Sequence, residues 1–304
     1  MANKKKRPAS RKQQVKIQRR NQYLLLTSIF LISFISIIAI RAAGARPYTM
    51  QKLPAHEITR IRLTPTPILQ HVTLPVRLPI LMYHYIEVVT DTRDTMRKSL
   101  AILPAVFDKQ VKTLKEAGYT FLTASQIPAI LDGKLALPEK PIILTFDDGY
   151  RDFYTDAYPI LKKYQVPATA YVVPGFLDKP NYLFKTQLDE INKDGLVEIA
   201  AHTVHHVYLK GMNAERARVE IQQSKTELEQ AIQKPVVSFA YPYGAFDLEI
   251  AKQVEAAGFT NAVSTLPGVE LDGKNTYFIF RVRPGARTGK ELLTFLQQST
   301  YRPY

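Results

Sequence analysis

The chain has 304 residues, 46% of them hydrophobic and 22% charged, a composition that excludes wholesale disorder and leaves room for one sizeable domain with appendages, two large domains being a tight fit. It contains no cysteine, which removes disulfides, thiolate nucleophiles and Cys-ligated zinc and leaves His, Asp and Glu as the strong metal ligands. The net charge of +14 suggests nucleic acid only until it is located: residues 1–22 hold nine basic and no acidic residues, a tail without interleaved aromatics, so no nucleic-acid partner is expected.

That basic tail, 1–22, runs straight into residues 23–40, YLLLTSIFLISFISIIAI, which carry no charge. As a helix the stretch would span about 27 Å, close to the hydrocarbon thickness of a bilayer. It reads as a single-pass anchor in the cell membrane, with the bilayer as a partner. The positive-inside rule keeps the N-terminus in the cytoplasm and exports everything after Arg41. The competing reading is a cleaved signal peptide, because Ala43-Gly44-Ala45 resembles a small-residue cleavage site; the long basic region and the placement of Arg41 favour an uncleaved anchor. Residues 41–77 carry Pro47, Pro54, Pro65, Pro67 and Pro75 without a sustained helical period, as a semi-rigid stalk does.

From residue 78 to 304, short apolar runs rich in β-branched residues alternate with amphipathic ones. Strands are predicted at 79–83, 119–122, 141–146, 168–173, 196–201, 236–240, 260–265 and 277–282. Between them Phe107, Val111 and Leu114 share a helical face that ends at Gly118, and a second helix runs from Asn213, a good N-cap, to about Ile232. Thr288 and Glu291 form a candidate capping box ahead of a last helix. The alternation places the domain in the α/β class with parallel strands, and about eight of them suit a (β/α) barrel, whose chemistry gathers at the C-terminal strand ends.

Two motifs fall at such ends. Thr145-Phe146-Asp147-Asp148-Gly149-Tyr150 closes the strand 141–146. A lone Asp-Gly after a strand is usually a turn, but adjacent carboxylates resist joint ionisation unless a cation or a shared proton intervenes, which points to a metal or a coupled acid and base. His202-Thr203-Val204-His205-His206 follows the strand 196–201 and holds three of the six histidines. A histidine cluster alone more often marks hydrogen-bonded surface residues. With a carboxylate pair at another strand end, however, His202 and His206 can converge on one ion, and one Asp with two His leaves positions open for water and substrate.

These motifs, followed by Phe239-Ala240-Tyr241-Pro242-Tyr243-Gly244, resemble in order the polysaccharide deacetylases with a NodB-homology domain, carbohydrate esterase family 4, over about residues 78 to 300. The resemblance implies a distorted (β/α) barrel of seven to eight parallel strands. It also implies a divalent metal, zinc with cobalt, nickel or manganese as alternatives, held by Asp148, His202 and His206. Asp147 is then the general base, and the backbone amide of Tyr243 stabilises the oxyanion. The implied reaction is metal-dependent hydrolysis of acetamido groups on N-acetylglucosamine in a surface glycan, exopolysaccharide or peptidoglycan, with release of acetate.

The departures matter too. Ala240 stands where the family carries an Arg that orients the base, so Arg281 or Arg283 is a candidate for that charge. The chain has no Trp and no His after His206, which removes the usual acid. His84, at the end of the first barrel strand, is either the replacement acid or a satisfied core histidine. The Met82-Tyr83-His84 opening and the Arg281-Val282-Arg283 run resemble the branch that de-N-acetylates poly-β-1,6-N-acetylglucosamine. His205 is expected to be exposed or to support a ligand. Tyr150, Tyr154, Tyr182 and Phe184 are read chiefly as packing, with Tyr182 or Phe184 as candidates for a sugar-lining groove. Two other readings use the same residues: an O-acetyl polysaccharide esterase, and a catalytically silent glycan-binding module on a stalk.

Overall fold

The computed structural model of the protein describes residues 74–91 and 93–299. The expected tail, the expected anchor and the stalk up to residue 73 lie outside the described residues. Among the described residues no helix is long and apolar enough to cross a membrane.

Each predicted strand forms, most of them shifted or trimmed by a residue or two: β1 (Ile80–Tyr83), β2 (Thr120–Leu122), β3 (Pro141–Phe146), β4 (Ala168–Val172), β5 (Val197–Ala201), β6 (Ser238–Ala240), β7 (Asn261–Pro267) and β8 (Ile279–Arg281). All pair in parallel. Seven of them run in the order β8-β7-β6-β5-β4-β3-β1. The ring closes through a parallel bridge between Leu81 and Val282, with Met82 N donating to Val282 O at 2.9 Å and Val282 N to Ile80 O at 2.9 Å. The barrel is distorted at β3, whose first half pairs with β2 (Leu122 opposite Ile143) and whose second half pairs with β4 (Thr145 opposite Thr169). The join between β5 and β6 is also thin, a single pair of Ala201 with Phe239.

The strands read as continuous apolar runs because both of their faces are covered. Alternate residues sort into two cores. Ile80, Leu122, Ile143, Tyr171, Ala200, Ala240, Val263 and Ile279, one from each strand, fill the barrel interior together with Ala124, Ile127 and Ile130. Those last three close the end where β7 begins, Asn261 donating to Ala124 O at 3.1 Å. Leu81, Tyr83, Ile142, Leu144, Phe146, Ile199 and Phe239 face outward into the layer under the helices.

The helices of that layer include α1 (Pro104–Glu116), α2 (Tyr158–Tyr164), α3 (Lys185–Asp194), α4 (Ala214–Ile232), α5 (Leu248–Ala256) and α6 (Gly289–Gln298). In α1 the predicted face of Phe107, Val111 and Leu114 is buried, and Pro104 sits in the first turn, where its missing N–H costs nothing. Asn213 caps α4 by accepting from Glu215 N and Arg216 N. The capping box expected at Thr288 does not form: Thr288 makes no side-chain cap bond, and Glu291 faces Arg287 at 3.7 Å instead. Between β1 and α1 the chain makes an excursion in which Tyr85–Ile86 pairs in parallel with Ala101–Ile102.

Candidate active site

The alternation that fills the barrel also aims the site. Ile143 and Thr145 point inward from β3, so the next residue in that row, Asp147, faces the lumen at the strand's C-terminal end. On β8 the same parity sends Ile279 and Arg281 inward. The two side chains meet: Arg281 Nη1 donates to Asp147 Oδ1 and Nη2 to Asp147 Oδ2, both at 2.7 Å, while Nε donates to Ser264 O at 2.8 Å and Nη1 also to Thr145 Oγ1 at 3.1 Å. Both residues are buried, at 1% and 3% exposure. Burial pushes the Asp147 carboxyl up, but the Arg281 charge and its two hydrogen bonds outweigh this and hold it below the ordinary range. Ala240, inward-facing on β6, is the small residue at the place where the family pattern has an arginine. Of the two arginines considered, Arg281 reaches the aspartate, whereas Arg283 lies past the strand end and is exposed.

Asp148 takes φ +76, which turns the chain and brings its carboxylate toward the end of β5. There His202 Nε2 lies 3.3 Å and His206 Nε2 3.0 Å from Asp148 Oδ1, and the three possible ligand atoms fall within 4.8 Å of one another. His202 Nδ1 is 2.7 Å from Ala240 O. A carbonyl only accepts, so this nitrogen carries a proton, and in the neutral ring the Nε2 lone pair points at Asp148. His206 Nδ1 likewise contacts the Tyr243 hydroxyl, at 3.2 Å.

Asp148 Oδ1 is buried and has no donor aligned on it. Converging lone pairs around an orphaned buried acceptor are the donor set a divalent cation satisfies, so the residues fit a metal. Without one, burial opposes a charge on His202, but Asp148 and Asp147 together raise its pKa above the ordinary value. Asp148 itself is pushed up by burial and held well below the usual carboxylate range by His202 and His206.

The remaining expected residues border this cluster. His84 Nε2 stands 4.0 Å from Asp147 Oδ2; burial lowers its pKa against the pull of the two aspartates, so it is neutral at physiological pH. Tyr243 sits in the tight turn Pro242–Gly244 at φ +60. A Cβ on Gly244 would collide with Thr265, so the turn packs against β7. Tyr182 stacks on Tyr150, which stacks on Tyr85, with ring centroids 5.0 and 4.0 Å apart. Phe184 lies under the Arg151 guanidinium at 3.9 Å. His205 points away from the ligand cluster and pairs with Glu220 at 2.8 Å. Glu220 was not legible in advance, because two of its three partners are backbone N–H groups.

A barrel with this site defines a class, and comparison with known proteins agrees: the chain belongs to the polysaccharide deacetylase family, hydrolases acting on amide bonds of acetylated polysaccharides. The family pattern, described as polysaccharide deacetylase, matches residues 134–262. YxkH of Bacillus subtilis (strain 168), named for the same family, is 32% identical over 209 residues, 69% of this chain and 72% of its own. The poly-beta-1,6-N-acetyl-D-glucosamine N-deacetylase of Staphylococcus aureus (strain MSSA476) is 29% identical over 198 residues, covering 61% of this chain and 68% of that protein. Among solved structures, the Streptococcus pyogenes deacetylase PplD in complex with acetate is similar with a TM-score of 0.68 and 30% identity, over 74% of this chain and 99% of that one.

Proposed function

We propose that this chain is a membrane-anchored, extracytoplasmic deacetylase that hydrolyses acetamido groups on N-acetylglucosamine residues of a surface polysaccharide. The observation that carries the reading is the cluster of Asp148, His202 and His206 beside a buried aspartate gripped by a guanidinium, all at one end of the barrel. Likeness to the poly-N-acetylglucosamine deacetylase supports an exopolysaccharide substrate, with the peptidoglycan glycan strand offering the same acetamide. The uncharged stretch 23–40 behind a basic tail supports the anchor.

Asp148, His202 and His206 would hold a divalent ion, zinc by ligand preference, which when bound would supply Lewis-acid polarisation of the acetyl oxygen and acidify water. Asp147, ionised at neutral pH, accepts the proton of the attacking water. Arg281 orients both of its oxygens. The Tyr243 backbone N–H would donate to the oxyanion formed as water adds to the acetyl carbon, a contact worth about 3 kcal/mol. His84, across from Asp147, receives that proton and passes it to the nitrogen as the C–N bond breaks, which leaves acetate and a free amino sugar.

Acetate release from N-acetylated and O-acetylated oligosaccharides, with added metal and with chelator, tests this. The expected result is metal-dependent release from the N-acetyl substrates, lost in Asp147→Asn with metal binding retained. Release from O-acetyl substrates alone would make the chain an esterase. Glycan binding without release by the unmodified protein would make it a silent module, a reading that the missing arginine at Ala240 and the absence of a late His motivate and that Arg281, supplied from β8, weakens.

A further inference from the structure

The two candidate ligand histidines lie on a segment whose backbone is in an unfavourable shape. Thr203, fully buried, has φ +59, and His206 has φ +52. Positive φ is rare outside glycine and rarer still for a β-branched residue, and it persists only where the surroundings over-determine it. Helix α4 supplies one half of that constraint. Glu220, two turns into the helix, accepts through Oε2 from the N–H groups of Val204 and His205, both at 3.0 Å, and faces His205 Nδ1 through Oε1 at 2.8 Å. The loop before α3 supplies the other half. Gly175 N donates to Val204 O at 3.0 Å, and a Cβ on Gly175 would collide with that oxygen.

We infer that Glu220 is a positioning residue for the candidate metal site: its carboxylate grips the peptide groups of Val204 and His205 from one side while Gly175 holds Val204 from the other, and this grip points His202 and His206 at Asp148. The inference rests on the metal reading above. It differs from an ordinary surface ion pair in where the bonds go. His205 is exposed, and its side-chain contact with Glu220 faces solvent, but the two backbone bonds run to the turn between the ligands. The hydrogen bonds, more than the charge, are therefore what the site needs.

The test is equilibrium binding of cobalt(II) and zinc(II) by the full chain, followed by the visible cobalt spectrum and by zinc competition, in the unmodified protein, Glu220→Ala, Glu220→Gln, His205→Ala and Gly175→Ala. Removing outer partners of metal ligands weakens metal binding roughly 10- to 100-fold, so Glu220→Ala is expected to lose affinity in that range with an altered cobalt spectrum. Glu220→Gln keeps an oxygen for both backbone N–H groups, so it is expected to bind within a few-fold of the unmodified chain, as is His205→Ala. Gly175→Ala acts from the opposite side with no change of charge and is expected to weaken binding as well, which keeps the inference testable if Glu220→Ala fails to fold. Unchanged affinity and spectrum in Glu220→Ala, or equal loss in Glu220→Gln and Glu220→Ala, overturns it. Absence of metal binding by the unmodified chain instead overturns the metal reading itself.

Discussion

Arg281 is a large cation inside the barrel whose guanidinium is shared among Asp147, Thr145 and Ser264. Removing one partner of a buried pair leaves the other charge uncompensated, at a cost of about 3–5 kcal/mol. Arg281→Met is therefore expected to lose stability on that scale in denaturant melts. Arg281→Lys keeps a charge but cannot reproduce the two-pronged grip, and if Asp147 is the base proposed above, its misplacement is expected to lower kcat about 100-fold. In either variant burial acts on Asp147 with weaker opposition, so its pKa rises and the acid limb of the kcat/KM profile moves to higher pH. An unmoved acid limb would show that Asp147 does not set it. At this scale the sequence was informative about kinds of residue and silent about reach. The empty arginine position at Ala240 announced that a cation had to come from elsewhere and narrowed it to Arg281 or Arg283. Parity does not separate the two, because Arg281 and Arg283 fall on the same face of a continuous strand; what does is the strand's end at Arg281, past which Arg283 turns out to solvent. Glu220 was hidden because backbone donors leave no mark in a sequence.

Among the elements, the excursion after β1 is tied down by one carboxylate. Asp152 Oδ2 accepts from Ile86 N at 2.5 Å, while its Oδ1 is buried without a partner. Burial, reinforced by nearby Glu87, pushes its pKa from 3.8 to about 6. The folded protein thus holds this proton longer than the unfolded chain does. The contribution to stability is complete below pH 3.8 and is lost as pH rises toward 6. A rise of about two pH units is worth roughly 3 kcal/mol at most. Asp152→Asn removes the titration, so the stability of this variant relative to the unmodified protein is expected to improve by up to that amount between pH 4 and pH 7. Denaturant melts at both values check it, and a constant difference would rule the assignment out. The strands themselves were legible because parallel strands covered on both faces must be apolar throughout. The capping box at Thr288 was not, since Glu291 has a competing partner in Arg287, and the pairing of β2 beside half of β3 depends on register that composition does not encode.

For the whole molecule, the candidate ligands come from the ends of β3 and β5, which flank β4, and β4 holds β3 through only two pairs, Thr145 with Thr169 and Phe146 with Ala170. An ion shared by Asp148, His202 and His206 would therefore staple β3 to β5 across that short join. A ligand at 100 times its Kd adds about 2.7 kcal/mol to stability, and for a domain of this size each kcal/mol moves Tm by about 2–4 °C. Chelation is expected to lower Tm by roughly 5–10 °C, and His206→Ala to abolish the difference between metal-loaded and chelated protein. A chelator-insensitive Tm in the unmodified chain would count against a bound ion.

The closure of the barrel through Leu81 and Val282 has a further consequence. Because that seam sets β8 next to β1, it carries a guanidinium into the same lumen that a residue on β6 would otherwise serve. Here the cation comes from an inward position on the last strand, far along the chain from the residue it stands in for. A genome survey that scores relatives by position 240 alone would file this protein with the inert ones, whereas a survey that asks which side chains look into the ring would count its aspartate as fully attended.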